Sequence, residues 1–74
     1  MPKLPSLTSQ KVIYILQKKG FILERTKGSH HIYINLETKR MVVVPFHKKD
    51  LLNGTLLEIL KQSGISKEEL EKLI

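Results

Sequence analysis

The sequence predicts a small α+β sandwich, and three observations carry that reading. Apolar residues recur at helical spacing in "TSQKVIYILQKKG" and again in "LLNGTLLEILKQSG". The segment between them alternates apolar and polar residues with a period of two, and the turns "KGS" and "ETK" cut it into three strands. Three strands in a 74-residue chain cannot have both faces covered, so the helices are expected on one face with the other left open. The expected order is helix, three-stranded antiparallel sheet, helix and a short C-terminal helix, all within one domain spanning residues 1–74.

In the first helix Val12, Ile13 and Leu16 mark the apolar side, followed by Phe21, while Gln10, Lys11, Gln17 and Lys18 are polar. Thr8 or Ser9 supplies the N-cap and Gly20 the left-handed stop. "FILERT" reads as a first strand. In "HHIYINL" the alternation sets Ile32, Ile34 and Leu36 against His31, Tyr33 and Asn35. This parity places His30 with the isoleucines on the core side and Tyr33 with His31 on the open side. "RMVVVPF" is the third strand, its valine run too apolar for two wet faces, and Pro45 belongs at an edge or at its end. Thr55 and Glu58 have capping-box spacing for the second helix, as do Ser66 and Glu69 for the last. The last helix, with Leu70, Leu73 and Ile74 at helical spacing, is expected to dock loosely.

Composition narrows the function. A chain of this size buries only about 60% of the surface its unfolded form exposes, so no large enclosed active site fits. There is no cysteine, hence no disulfide framework and no thiolate metal site. No apolar run approaches a membrane span and "MPKLPSLTSQ" has no signal-peptide core, so a soluble, cytoplasmic protein is expected, with no membrane partner. The net charge of +6 is uneven: residues 1–49 carry +8 and residues 50–74 carry −2. Such asymmetry is the footprint of a surface that binds a polyanion, although solubility alone also favours lysine.

Two adjacent histidines in "KGSHHIYI" are the candidate chemical groups. A lone histidine in a strand commonly packs or satisfies a hydrogen bond. Here the context adds to them: Gly28 and Ser29 form a tight turn that can present backbone amides to a phosphate, with Arg25 and Lys27 beside it. Lys48 and Lys49 follow the third strand toward the same sheet. RNA cleavage needs little more, because the 2′-hydroxyl is an internal nucleophile and imidazole titrates near neutral pH. A zinc site would have to use His30, His31 and His47, but strand neighbours point to opposite faces. No metal or other cofactor is therefore expected. Tyr33, if it lies on the open face, offers a ring for stacking a base.

The motifs "KGSHHIYI" and "VVVPFHKKDLLNGTLLEILKQSGIS" resemble the HicA-type (YcfA-like) mRNA interferase toxins of type II toxin–antitoxin systems, in order and spacing, over nearly the whole chain. The resemblance implies a fold like the double-stranded-RNA-binding domain (dsRBD-like) and an RNA-cleaving endoribonuclease that blocks translation. It also implies a HicB-like antitoxin partner that holds the enzyme inactive. The family's catalytic histidine directly follows the Gly-Ser pair, which points to His30, with His31 in reserve because of the strand parity. His47 corresponds to the family's histidine after the valine-rich strand and is given an accessory role. The expected RNA-binding set is Arg25, Lys27, Gly28, Ser29, Tyr33, His47, Lys48 and Lys49. The competing reading is a non-catalytic RNA-binding module of the same fold. A DNA-binding regulator fits poorly, since "TLLEILKQ" offers a recognition helix only Lys61 and Gln62.

Overall fold

The computed structural model describes residues 6–47 and 49–73. It has α1 (Ser9–Lys18), β1 (Ile22–Lys27), β2 (His30–Ile34), β3 (Met41–Pro45), α2 (Asn53–Ser63) and α3 (Lys67–Leu73). The strands form one antiparallel sheet in the order β1-β2-β3. This is the expected α+β architecture, a small dsRBD-like fold.

Helix α1 begins where Thr8, in an extended conformation, accepts a hydrogen bond from the Lys11 amide at 3.2 Å. Its buried residues Val12, Ile15 and Leu16 lie at i, i+3 and i+4. It stops at Gly20, whose φ of +92° belongs to the left-handed region that glycine enters without strain. The nearby Asn35 is buried, and its amide donates to the Lys19 carbonyl at 3.2 Å. Its side-chain oxygen accepts from the Glu37 and Thr38 amides, an Asx arrangement that shapes the turn between β2 and β3. Leu36 accordingly lies in this turn, exposed, rather than in the strand pattern where its spacing put it.

Helix α2 starts two residues before the expected capping box. Leu52 precedes it without a side-chain cap, and the Leu56 amide donates to the Leu52 carbonyl at 2.9 Å to close the first turn. Thr55 is thus already helical, and Glu58 accepts instead from Gln62 one turn later. Leu56, Ile59 and Leu60 are buried, and Gly64, at φ +77°, ends the helix. A Cβ on Gly64 would come within 2.9 Å of the Arg40 guanidinium, which also donates to the Gln62 carbonyl. The Gln62 side chain in turn accepts from the Val43 amide at 3.2 Å, occupying a free donor on the outer edge of β3.

The capping box at Ser66 and Glu69 is present, with the Glu69 amide donating to the Ser66 hydroxyl at 3.1 Å. Docking of α3 is tighter than its length suggests, because Leu70 is 1% exposed within the core and Glu69 is ion-paired with Lys19 at the end of α1. That hydrogen-bonded lysine holds the Glu69 carboxyl below its ordinary value.

The core lies between the helices and one face of the sheet. Tyr33, Val42 and Val44 face it together with Val12, Ile15, Leu16, Leu56, Ile59, Leu60 and Leu70. This reverses the expected parity of β2: Tyr33 is 3% exposed in the core, and Ile32 and Ile34 lie on the other face of the strand, as does His30. The physical reason is that β2 carries apolar residues on both faces, so β3 decides. Val42 and Val44 pair with Tyr33 and His31, and both valines are fully buried. Val43 and Met41 stay exposed while Val42 and Val44 are buried, so the run has one wet face and not two, as its apolar character led one to expect.

Candidate functional site

The site is assembled at the end of the sheet where β1 turns into β2. Lys27 and His30 pair across a two-residue turn of Gly28 and Ser29, and Gly28 has a φ of +59°. Glycine at the first central position suits the mirror-image turns that match the twist of a hairpin. One irregularity precedes it. Leu23 pairs with Tyr33 and Arg25 pairs with Ile32, which leaves Glu24 as the extra residue of a β-bulge. In an unbroken strand Leu23, Arg25 and Lys27 would share a face. The bulge leaves Leu23 on the helix side and sets Arg25 and Lys27 on the open side, opposite Ile32 and His30.

The end of β3 closes onto the same turn. His30 pairs with Pro45, and the Phe46 amide donates to the Ser29 carbonyl at 2.6 Å. Ser9, fully buried at the start of α1, donates through its hydroxyl to the Pro45 carbonyl at 2.6 Å and accepts from the His47 amide at 3.3 Å. Because Thr8 serves as the N-cap, the Ser9 hydroxyl is free to pin this segment. The rings of His31 and Phe46 stack in parallel, with centroids 4.6 Å apart and planes within 3°. An antiparallel bridge between Thr8 and Asp50 sets exposed Lys49 close to the start of α1.

Lys27, Gly28, Ser29, His30, His31 and His47 therefore meet at one end of the fold, and Arg25 lies two residues further along the His30 face. His30 and His47 are exposed and His31 is half-buried. Lys48 lies outside the described residues. Tyr33 does not join the group: its ring is packed in the core, burial pushes its phenol above the ordinary value, and no ring face is left for a base. Among the described residues no group of three or more His, Asp or Glu side chains is placed to hold a metal ion. No helix there is long and apolar enough to cross a membrane.

Sequence reasoning missed Phe46 and Ser9. An aromatic residue between Pro45 and His47 was a visible signal for the first. For Ser9 the only signal was that two adjacent hydroxyl residues, Thr8 and Ser9, competed for a single cap.

Residues 9–65 match the family model for the HicA toxin of bacterial toxin–antitoxin systems. The chain belongs to the HicA toxin family. The matched span runs from Ser9 to Ile65 and so contains every residue described above from the pinning serine to Phe46 and His47, whereas α3 lies beyond it. As a HicA toxin the protein is the toxin component of a toxin–antitoxin pair and has an antitoxin as its partner. No curated protein matches the chain at a significant level.

Proposed function

We propose that this HicA toxin is an endoribonuclease of the mRNA interferase type, acting on mRNA in the cytoplasm, with His30 as its catalytic residue and a HicB-like antitoxin as its inhibitor. The observation that carries this reading is the exposed His30 at the first position of β2, directly after the Gly28–Ser29 turn, with Arg25 and Lys27 on the same sheet face. An imidazole beside two cations suits in-line attack on a phosphodiester. The 2′-oxygen bonds to phosphorus as its proton passes to a base. The bond from phosphorus to the 5′-oxygen then breaks, and that oxygen takes a proton from an acid. The products are a 2′,3′-cyclic phosphate and a 5′-hydroxyl end. Arg25 and Lys27 offset the charge that gathers on the phosphoryl oxygens. His30 moves a proton in this scheme, and exposed His47 at the same end is an accessory group. The stacking of His31 on Phe46 favours His30 over His31 for the chemistry, since the His31 ring already has a packing role.

Two measurements test the reading. Products of RNA cleavage are expected to carry 2′,3′-cyclic phosphate by mass spectrometry, in the presence of excess EDTA as in its absence. A single 2′-deoxy sugar at a mapped site should block cutting there. Ends bearing 5′-phosphate that vanish with EDTA would overturn the internal-nucleophile scheme, and RNA that is bound but never cut would make the protein a binding module instead. The second measurement is the salt dependence of RNA binding. Replacing Arg25 and Lys27 together by glutamine should reduce the slope of log affinity against log salt by about 1.4, on the basis of about 0.7 per phosphate contact on a single strand. An unchanged slope would mean that these two cations are only a solvated face.

A further inference from the structure

We infer that the cleft beside Phe46 is a nucleobase subsite of the RNA-binding surface, with the Phe46 ring as its stacking platform and α1 as the track for the adjoining nucleotide. This rests on the RNA reading above and adds a place for a base that the histidine and its cations do not supply. The cleft measures about 470 Å³ and is lined by Thr8, Gln10, Phe46 and His47. Its volume lies within the usual range for small-molecule sites, and a nucleotide is of that class. Phe46 is 37% exposed even though His31 stacks on it. A ring held from behind by a parallel imidazole is already fixed in orientation, so a base that stacks on it costs little further side-chain entropy. Base stacking of this kind accepts any nucleobase, because each has a π-face.

Two further features point to a nucleic-acid strand as the occupant. A second, shallower groove shares Thr8 and Gln10 with the first and continues along α1 to Lys11 and Tyr14. Gln10 and Tyr14 are four residues apart, about 6 Å along the helix, a distance comparable to the step between neighbouring nucleotides. The Tyr14 ring is 47% exposed, and the ammonium groups of Lys11 and Lys18 lie 5.6 and 5.0 Å from its centroid. Aromatic platforms interleaved with cations are the surface that single strands select. Gln10, whose amide both donates and accepts, is the side chain placed to meet the edge of a base in the cleft. The Phe46 amide donates to the Ser29 carbonyl and so ties this platform to the Gly28–Ser29 turn.

The test uses the full chain and fluorescently labelled hexanucleotides with 2′-fluoro sugars, which lack the attacking hydroxyl, in random sequence. Wild type, Phe46→Leu and Phe46→Trp are titrated by anisotropy, and wild type is followed by NMR at the Phe46 and Tyr14 ring protons. Phe46→Leu is expected to bind about 5- to 140-fold more weakly, in line with the loss of one stacked base. Phe46→Trp should bind at least as well as wild type, and the wild-type Phe46 ring signals should move upfield on titration. Binding by wild type that leaves the Phe46 ring signals in place, or equal binding by Phe46→Leu, would overturn the subsite while the RNA reading stood. Absence of binding by every form would overturn both. If Phe46→Leu does not fold, Phe46→Trp and the wild-type ring shifts decide. Intact RNA binding by Phe46→Leu with weakened capture by the antitoxin would make this surface a protein interface and overturn the proposal.

Discussion

Replacing His30 by alanine is expected to abolish growth arrest on expression and to lower RNA cleavage by about two to four orders of magnitude, the usual contribution of a positioned acid or base. Because His30 is exposed and outside the core cluster, the variant should keep its circular dichroism spectrum and its affinity for uncleavable RNA to within a few fold. That combination separates lost proton transfer from lost folding. His31→Ala should show the complementary pattern, weakening binding through the unsupported Phe46 ring more than it slows the chemical step. A folded His30→Ala protein that still arrests growth would remove His30 from the mechanism and transfer the test to His31.

The largest effect on stability should come from Leu56→Ala. This side chain is 1% exposed at the centre of the helix layer, and truncating a buried leucine typically costs about 2–5 kcal/mol. A chain of this length has roughly 4–11 kcal/mol of stability in total, from the usual 0.05–0.15 kcal/mol per residue. The urea midpoint should therefore fall by a large fraction with little change in slope. Leu57→Ala provides the control: its side chain is 44% exposed on the next position of the same helix, and its cost should stay within about 0.5 kcal/mol. Equal losses from the two variants would contradict the packing of α2 against the sheet.

The parts legible in the sequence were those set by local physics. The apolar spacing of α1, the glycine stop at Gly20, the Ser66 cap and the Gly28–Ser29 turn each have a short-range cause, and each was readable from neighbouring residues. The face of β2 was not, because the isoleucines outweigh Tyr33 in any local count, and in the fold Ile32 is buried on its own face as well. The choice between them is made by Val42 and Val44 across the sheet, which no local window contains. The start of α2 was misplaced for a related reason: the Thr55–Glu58 spacing is also an ordinary helical spacing, and nothing in it requires that a helix begin there. At the site the histidine and its cations announced themselves by residue type. Phe46 was visible as an aromatic residue, but its role was not, since that depends on a stacking partner fifteen positions away, His31, and on a buried hydroxyl, Ser9, that reads as a redundant cap.

The bulge at Glu24 gives β1 one residue more than β2 has partners for. Deleting Glu24 would leave Leu23 opposite Tyr33 and Arg25 opposite Ile32, so every side chain would keep its face. Loss of Thr26 is another matter. The strand would recover its ladder by drawing Glu24 into it, which turns Arg25 toward the helices and puts a carboxylate on the face that His30 shares. The hairpin thus carries a spare residue at a single position, and shortening of β1 is tolerable there while the same change two positions later would exchange a cation for an anion beside the histidine.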